Sequence, residues 1–234
     1  MKSPSELTVR LDTGAATTAL VYPADRGDDR AGAALILGHG AGAGQRSAFM
    51  VDFARELSAL GVDVVTFNFL YSEQRRKIPD RASALEACYR TVIEAVRADV
   101  ESARRSLFIG GKSMGGRIAT QVAAADSQIL LAGLVLLGYP LHPPGRPTER
   151  RDKHLPAIAR PMLFVQGSRD AFGTPEELTP IIQVLRPPAV LHAVANGDHS
   201  FKLSRKDPAG QAAVYAGVQR AIVDFIRRQT SGSS

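Results

Sequence analysis

The sequence predicts an α/β fold with a mostly parallel central sheet flanked by helices and no large cap domain. Three observations predict it. Short apolar runs alternate with longer segments of helical period along the 234 residues. The apolar runs carry too few polar residues for strands with a wet face, which is the pattern of a sheet buried on both sides. The 21 glycines and 14 prolines fall between these runs, where turns are expected. The length suits a single domain, expected over residues 1–229, with a flexible tail over 230–234.

Each element has its own signal. Glu6 to Leu11 and Thr17 to Tyr22 read as an opening strand pair around Gly14. Ala33 to Leu37 is an apolar strand ended by Gly38. Met50 to Leu60 has helical spacing and stops at Gly61, as a helix does at a C-cap glycine. Val62 to Phe67 is a buried-type strand. About residues 83 to 103 form one long helix, with Leu85, Cys88, Tyr89, Val92, Val96 and Val100 along a stripe. Then come a strand from Ser106 to Gly110, a helix from Gly115 to Ala125 and a strand from Ile129 to Leu137. Met162 to Gln166 is the next strand, and Pro175 opens a helix whose first turn holds Glu176 and Glu177. The last strand is Pro188 to Val194, and a helix from about Gly210 to Arg228 closes the chain. The one long irregular stretch, Tyr139 to Arg160, is either a small flap over a site or a surface loop.

Composition excludes several function classes. No apolar targeting segment opens the sequence, and the longest apolar run, Ile129 to Leu137, is too short to span a bilayer. The single cysteine, Cys88, leaves no intrachain disulfide. A cytoplasmic protein without a membrane partner is expected. The net charge of +6 comes from scattered basic residues with no zinc-finger or RNP-type pattern, so no nucleic-acid partner is expected. No His/Cys/Asp cluster has metal-ligand spacing, and neither metal nor cofactor is expected.

The chemistry is carried by Gly111-Lys112-Ser113-Met114-Gly115-Gly116. It follows the strand LFIG and opens the helix RIATQVAAA, the strand–turn–helix context of a G-x-S-x-G nucleophile elbow. Such a turn strains the serine backbone, and flanking glycines remove the Cβ atoms that would collide with strand and helix. The hydroxyl then stands clear at a helix N-terminus, which favours developing negative charge. A serine needs a base, and this fold orders its residues as Ser, then Asp or Glu, then His. His199, in the loop Gly197-Asp198-His199 after the last strand, fits that order. His39 precedes the serine, and His192 lies inside a strand. Asp170 follows the preceding strand in Gly167-Ser168-Arg169-Asp170 and is the expected acid. Asp198, adjacent to the base, is the competing carboxylate. The oxyanion hole is expected from the N–H of Met114 and that of Ala41, with Gly42 as the alternative, in the small-residue loop from His39 to Gly44. Arg75 and Arg76, with His142 and His154 of the irregular stretch, are candidate substrate-binding residues. The basic groups Arg75-Arg76-Lys77 and Arg150, Arg151 and Lys153 with His154 leave from the same sheet edge as Ser113, to bind a substrate anion or simply to face solvent.

The stretches LILGHGAGAG, FNFLYSEQRRKIPDR, GGKSMGGRIA, LGYPLHPPGRPTERRDKHLP, FVQGSRDAFG and NGDHSF together resemble the α/β-hydrolase-like domains of the KANL3/Tex30 group and, more distantly, dienelactone hydrolases. Leu70 departs from a proline that relatives tend to have, and Ala171 from one that often follows the acid. The resemblance implies an α/β-hydrolase fold and supports Ser113, Asp170 and His199 as its triad. The expected function is a serine hydrolase acting on a small carboxylic ester or thioester through an acyl-enzyme on Ser113. The rival expectation is a non-catalytic binding or scaffold domain that has kept the fold.

Overall fold

A computed structural model describes residues 3–25, 27, 30–204 and 207–231. The strands are β1 (Ser5–Arg10), β2 (Ala16–Tyr22), β3 (Ala34–Gly38), β4 (Asp63–Phe67), β5 (Leu107–Lys112), β6 (Gly133–Leu137), β7 (Met162–Gly167) and β8 (Val190–Val194). The helices are α1 (Ala48–Ala59), α2 (Leu70–Glu73), α3 (Ala82–Asp99), α4 (Glu101–Arg105), α5 (Met114–Ala125), α6 (Pro175–Ile182) and α7 (Pro208–Ser231).

The strands form one eight-stranded sheet in the order β1-β2-β4-β3-β5-β6-β7-β8. The β1–β2 and β2–β4 pairs are antiparallel and the pairs from β4 to β8 are parallel. Period-2 alternation sends the two faces of each central strand into different cores. Ala34, Ile36, Leu134 and Leu136 pack on one side with Tyr89 and Val92 of α3 and Ile118 and Val122 of α5. Leu35, Leu37, Val135 and Leu137 pack on the other with Phe53 and Leu57 of α1 and Ile222 and Phe225 of α7. From β3 the chain turns to β4 on one side, then crosses to β5 on the other. Such a switch point opens a crevice at the C-terminal strand ends, where open α/β sheets hold ligands.

Four differences from the sequence expectations have local causes. The expected long helix breaks at Val100, which is extended at φ −105° and ψ 112° before α4. Strand β6 starts at Gly133, because Gln128 and Ile129 are tied into a turn on Asp126. The edge strand β8 is half-exposed. Finally, α7 continues through Thr230 and Ser231, which the sequence assigned to a tail. The rest of that tail, residues 232–234, lies outside the described residues.

Candidate active site

Ser113 sits between β5 and α5 with φ 51° and ψ −114°, a region that non-glycine residues rarely occupy. Close packing holds it there. A Cβ on Gly115 would overlap the Gly38 carbonyl, and one on Gly116 would come within 2.8 Å of the Gly111 oxygen. The Ser113 N–H donates to the Leu137 carbonyl at 2.9 Å, anchoring the turn to β6. Its Oγ makes no hydrogen bond among the described residues.

Asp170 follows β7 and is 2% exposed. Both of its oxygens face Nδ1 of His199, at 2.9 and 2.8 Å. Oδ1 also accepts the Phe172 N–H at 2.8 Å, and Oδ2 accepts Nε2–H of Gln166 at 2.8 Å. A buried carboxylate so held fixes the orientation of the ring. The ring of His199 packs on Phe172, with centroids 4.3 Å apart. With Nδ1 committed to Asp170, Nε2 is the nitrogen left for chemistry. Asp198 instead builds its own turn, accepting the N–H groups of Ser200 and Lys202 at 2.7 and 2.9 Å. His192 is half-buried in β8, and burial lowers its basicity.

Two supporting side chains had no sequence signal. Gln166 is fully buried and links Asp170 to the Gly173 carbonyl and to Tyr139, whose N–H it accepts at 2.9 Å. Lys112 donates from Nζ to the His199 carbonyl at 2.6 Å, and burial pulls its pKa down to about 8, against the attraction of Asp170 and Asp198.

A cavity of about 610 Å³ is lined by Ser113, Met114 and His199, together with Gly40 and Ala41 of the loop after β3. His39 fixes that loop. Its Nδ1–H donates to the Gly40 carbonyl at 2.8 Å and its Nε2 accepts the Phe69 N–H at 3.2 Å. Burial lowers the pKa of His39, which keeps the ring neutral as this pairing requires. The Met114 N–H belongs to the first turn of α5, where amides have no intrahelical acceptor. Ala41 lines the Ser113 cavity, whereas Gly42 lines a neighbouring one of about 680 Å³.

The candidate substrate-binding residues are placed differently from expectation. Arg75 and Arg76 line the neighbouring cavity, and Arg76 is tied to Asp80 at 2.6 Å. His142 is buried between the Pro143 carbonyl and Glu177, at 2.9 and 3.1 Å. His154 bonds Thr120 Oγ1 at 2.8 Å, behind α5. Neither histidine lines the Ser113 cavity. From the irregular stretch it is Pro140 and Arg151 that do, joined by Arg117 of α5. A stretch pinned by Tyr139, Leu141, Leu155 and Ile158, all buried, is a wall rather than a loose flap.

Comparison with known proteins agrees with this architecture. Residues 31–227 match the family model of the α/β-hydrolase domain. A solved structure from Xanthomonas campestris, XC6422, described as an α/β serine hydrolase without lid, is similar at 22% identity and TM-score 0.69, covering 94% of this chain and 96% of that one. Est1E from Butyrivibrio proteoclasticus is similar at 13% identity and TM-score 0.72, covering 94% and 98%. A dienelactone hydrolase from Anabaena variabilis is similar at 16% identity and TM-score 0.70, covering 94% and 97%. At these identities the likeness is one of fold.

Proposed function

The chain belongs to the α/β-hydrolase domain family, and from that premise we propose that it is a serine hydrolase that cleaves a small carboxylic ester or thioester, with Ser113, Asp170 and His199 as its triad. One observation carries the reading. A strained serine at a strand–helix turn shares a cavity with a histidine whose far nitrogen is clamped by a buried aspartate. Kinship with the KANL3/Tex30 group belongs to the same proposal and rests on the motif stretches.

In the proposed reaction His199 Nε2 takes the proton of Ser113 as Oγ attacks the carbonyl carbon. The resulting oxyanion accepts the N–H groups of Met114 and Ala41. The tetrahedral intermediate collapses, the C–O or C–S bond breaks, and the leaving group takes the proton from His199. Water, deprotonated by the same nitrogen, attacks the acyl-enzyme. The carboxylic acid leaves, and the proton returns to Ser113. Asp170 holds the ring throughout and stabilises its cationic form.

A fluorophosphonate probe tests this. It is expected to label the wild type, and Ser113→Ala is expected to abolish labelling. His199→Ala is expected to lower kcat at least about 10³-fold with the fold intact, whereas His192→Ala is not. A folded wild type that resists labelling and hydrolyses no ester or thioester would favour the scaffold reading instead.

A further inference from the structure

The Ser113 cavity carries more positive charge than its proposed chemistry uses. Lys112, Arg117 and Arg151 all line it. Among the described residues the one carboxylate on its wall is Asp80, which is held by Arg76 at 2.6 Å. Arg117 is half-buried, and among the described residues its side chain makes only a long bond to Gln121 at 3.4 Å. Arg151 is half-buried too, and its side chain makes no hydrogen bond or ion pair among the described residues. Neither guanidinium is hydrogen-bonded to a carboxylate among those residues, and the Glu86 carboxylate, which attracts Arg117, is itself paired with Arg90 at 3.3 Å. Long cations are rarely taken out of water unpaired.

The two are also close enough to oppose each other. Burial lowers the proton affinity of Arg117 and the charge of Arg151 lowers it further, against smaller attractions to Tyr139 and Glu86. Arg117 stands one helical turn beyond Ser113 on α5, with its backbone N–H bonded to the Ser113 carbonyl at 3.1 Å. Side chains so spaced share a helix face. Arg151 is brought over the same face because its N–H donates to the Leu141 carbonyl at 2.9 Å and its own carbonyl accepts the Tyr139 hydroxyl at 2.6 Å. The neighbouring basic residue, Arg150, is spent on Asp152 at 2.9 Å.

We infer that Arg117 and Arg151 form an oxyanion-binding subsite, and that the substrate is an ester or thioester carrying a carboxylate or phosphate a few bonds from the scissile carbonyl. This rests on the hydrolase reading and narrows its substrate class. An anion between the two guanidiniums relieves their repulsion and accepts planar donor forks from each. The short reach from Ser113 along one helix turn sets the spacing between the anion and the carbonyl.

Matched esters test it. At low salt, kcat/KM for the 4-nitrophenyl monoester of glutaric acid is expected to exceed that for the uncharged 4-nitrophenyl valerate. Acetate esters of 3-hydroxybenzoate and of phenol place the charge on the alcohol arm instead, and the series with the preference identifies the arm. Glutarate and inorganic phosphate as competitive inhibitors separate carboxylate from phosphate selectivity. Arg151→Gln, on a surface stretch, and Arg117→Gln are each expected to reduce the anionic-over-neutral ratio about 10- to 100-fold, the range for a hydrogen bond to a charged group. Arg150→Gln is expected to leave the ratio unchanged. Equal rates in both series, or a preference that survives both substitutions, would overturn the subsite while the hydrolase reading stood. If the wild type turns over no ester, binding of monomethyl glutarate by calorimetry decides separately. Binding that Arg151→Gln abolishes would support the subsite without the hydrolysis, and absence of binding would overturn it.

Discussion

Lys112 joins two parts of the site that are 87 residues apart in the chain, through its bond to the His199 carbonyl. That separation explains what was legible at the scale of residues. Ser113, Asp170 and His199, the proposed triad, stand out in the sequence because each sits in a short motif at a strand end, in an order the fold imposes. Lys112 and Gln166 act through contacts with distant segments, and no local pattern marks them. The histidines of the irregular stretch misled because their chain position says nothing of which way their rings turn. Lys112 also leaves a thermodynamic trace. Its folded pKa of about 8 lies below its ordinary 10.5, because burial disfavours the ammonium. Between those values the unfolded chain binds more protons than the folded one, so stability is expected to rise with pH through that window. Below about pH 8 both states are protonated, and the full cost of burying the charge is felt. Buried tyrosines with raised pKa act in the opposite sense at higher pH, so the clean range is its lower part. Urea unfolding from pH 7.5 to 9.5 is expected to show wild type gaining stability relative to Lys112→Met. Parallel curves for the two proteins would contradict the assignment.

At the scale of elements, the central strands were legible because they are buried on both faces and so lack polar residues. What escaped were features that depend on tertiary partners. The helix α2 has four residues, too few for any periodicity to show. The break at Val100 falls within a continuous apolar stripe, so hydrophobic spacing could not reveal it. One side chain shows how a helix and the sheet centre are joined. The Tyr89 hydroxyl of α3 accepts the Gly110 N–H at 3.0 Å and faces the carbonyls of Gly110 and Ile36 at 2.7 and 3.1 Å. It thereby ties α3 to β3 and β5 just before the serine turn, and burial pushes its pKa up, keeping the proton on. Tyr89→Phe leaves a buried N–H without its acceptor, and a loss of about 1–3 kcal/mol is expected by urea unfolding. Gly115→Ala tests the same junction from the helix side. Alanine favours a helix by up to about 1 kcal/mol over glycine. Here its Cβ would overlap the Gly38 carbonyl, so a net loss of stability is expected. A stabilised Gly115→Ala protein would mean that α5 can move off the sheet without cost.

Across the whole molecule, the C-terminal sheet edge collects the loops after β3, β5, β7 and β8, and each brings one part of the proposed chemistry. Helix α1 adds Phe49 and Met50 to the cavity wall, α3 adds Leu85, and the stretch after β6 adds Pro140 and Arg151. No large cap domain covers this edge, and no helix among the described residues is long and apolar enough to cross a membrane. A cavity of about 610 Å³ lies within the usual range for small-molecule sites. The dependence on acyl length follows from that shape. Each methylene buried against Phe49, Met50 and Leu85 contributes up to about 0.8 kcal/mol, so kcat/KM is expected to rise over the first few carbons. Once the chain outgrows the wall, further methylenes stay in water and the rise stops. Longer chains also aggregate and lower the free ester, so they gain nothing further. Uncharged 4-nitrophenyl esters from acetate to decanoate, each held below its aggregation concentration, are expected to level off at short chains. Long-chain emulsions are expected to be poor substrates. A rate that keeps climbing to decanoate, or faster turnover at an oil–water interface than in solution, would require a longer apolar groove than the walls around Ser113 provide.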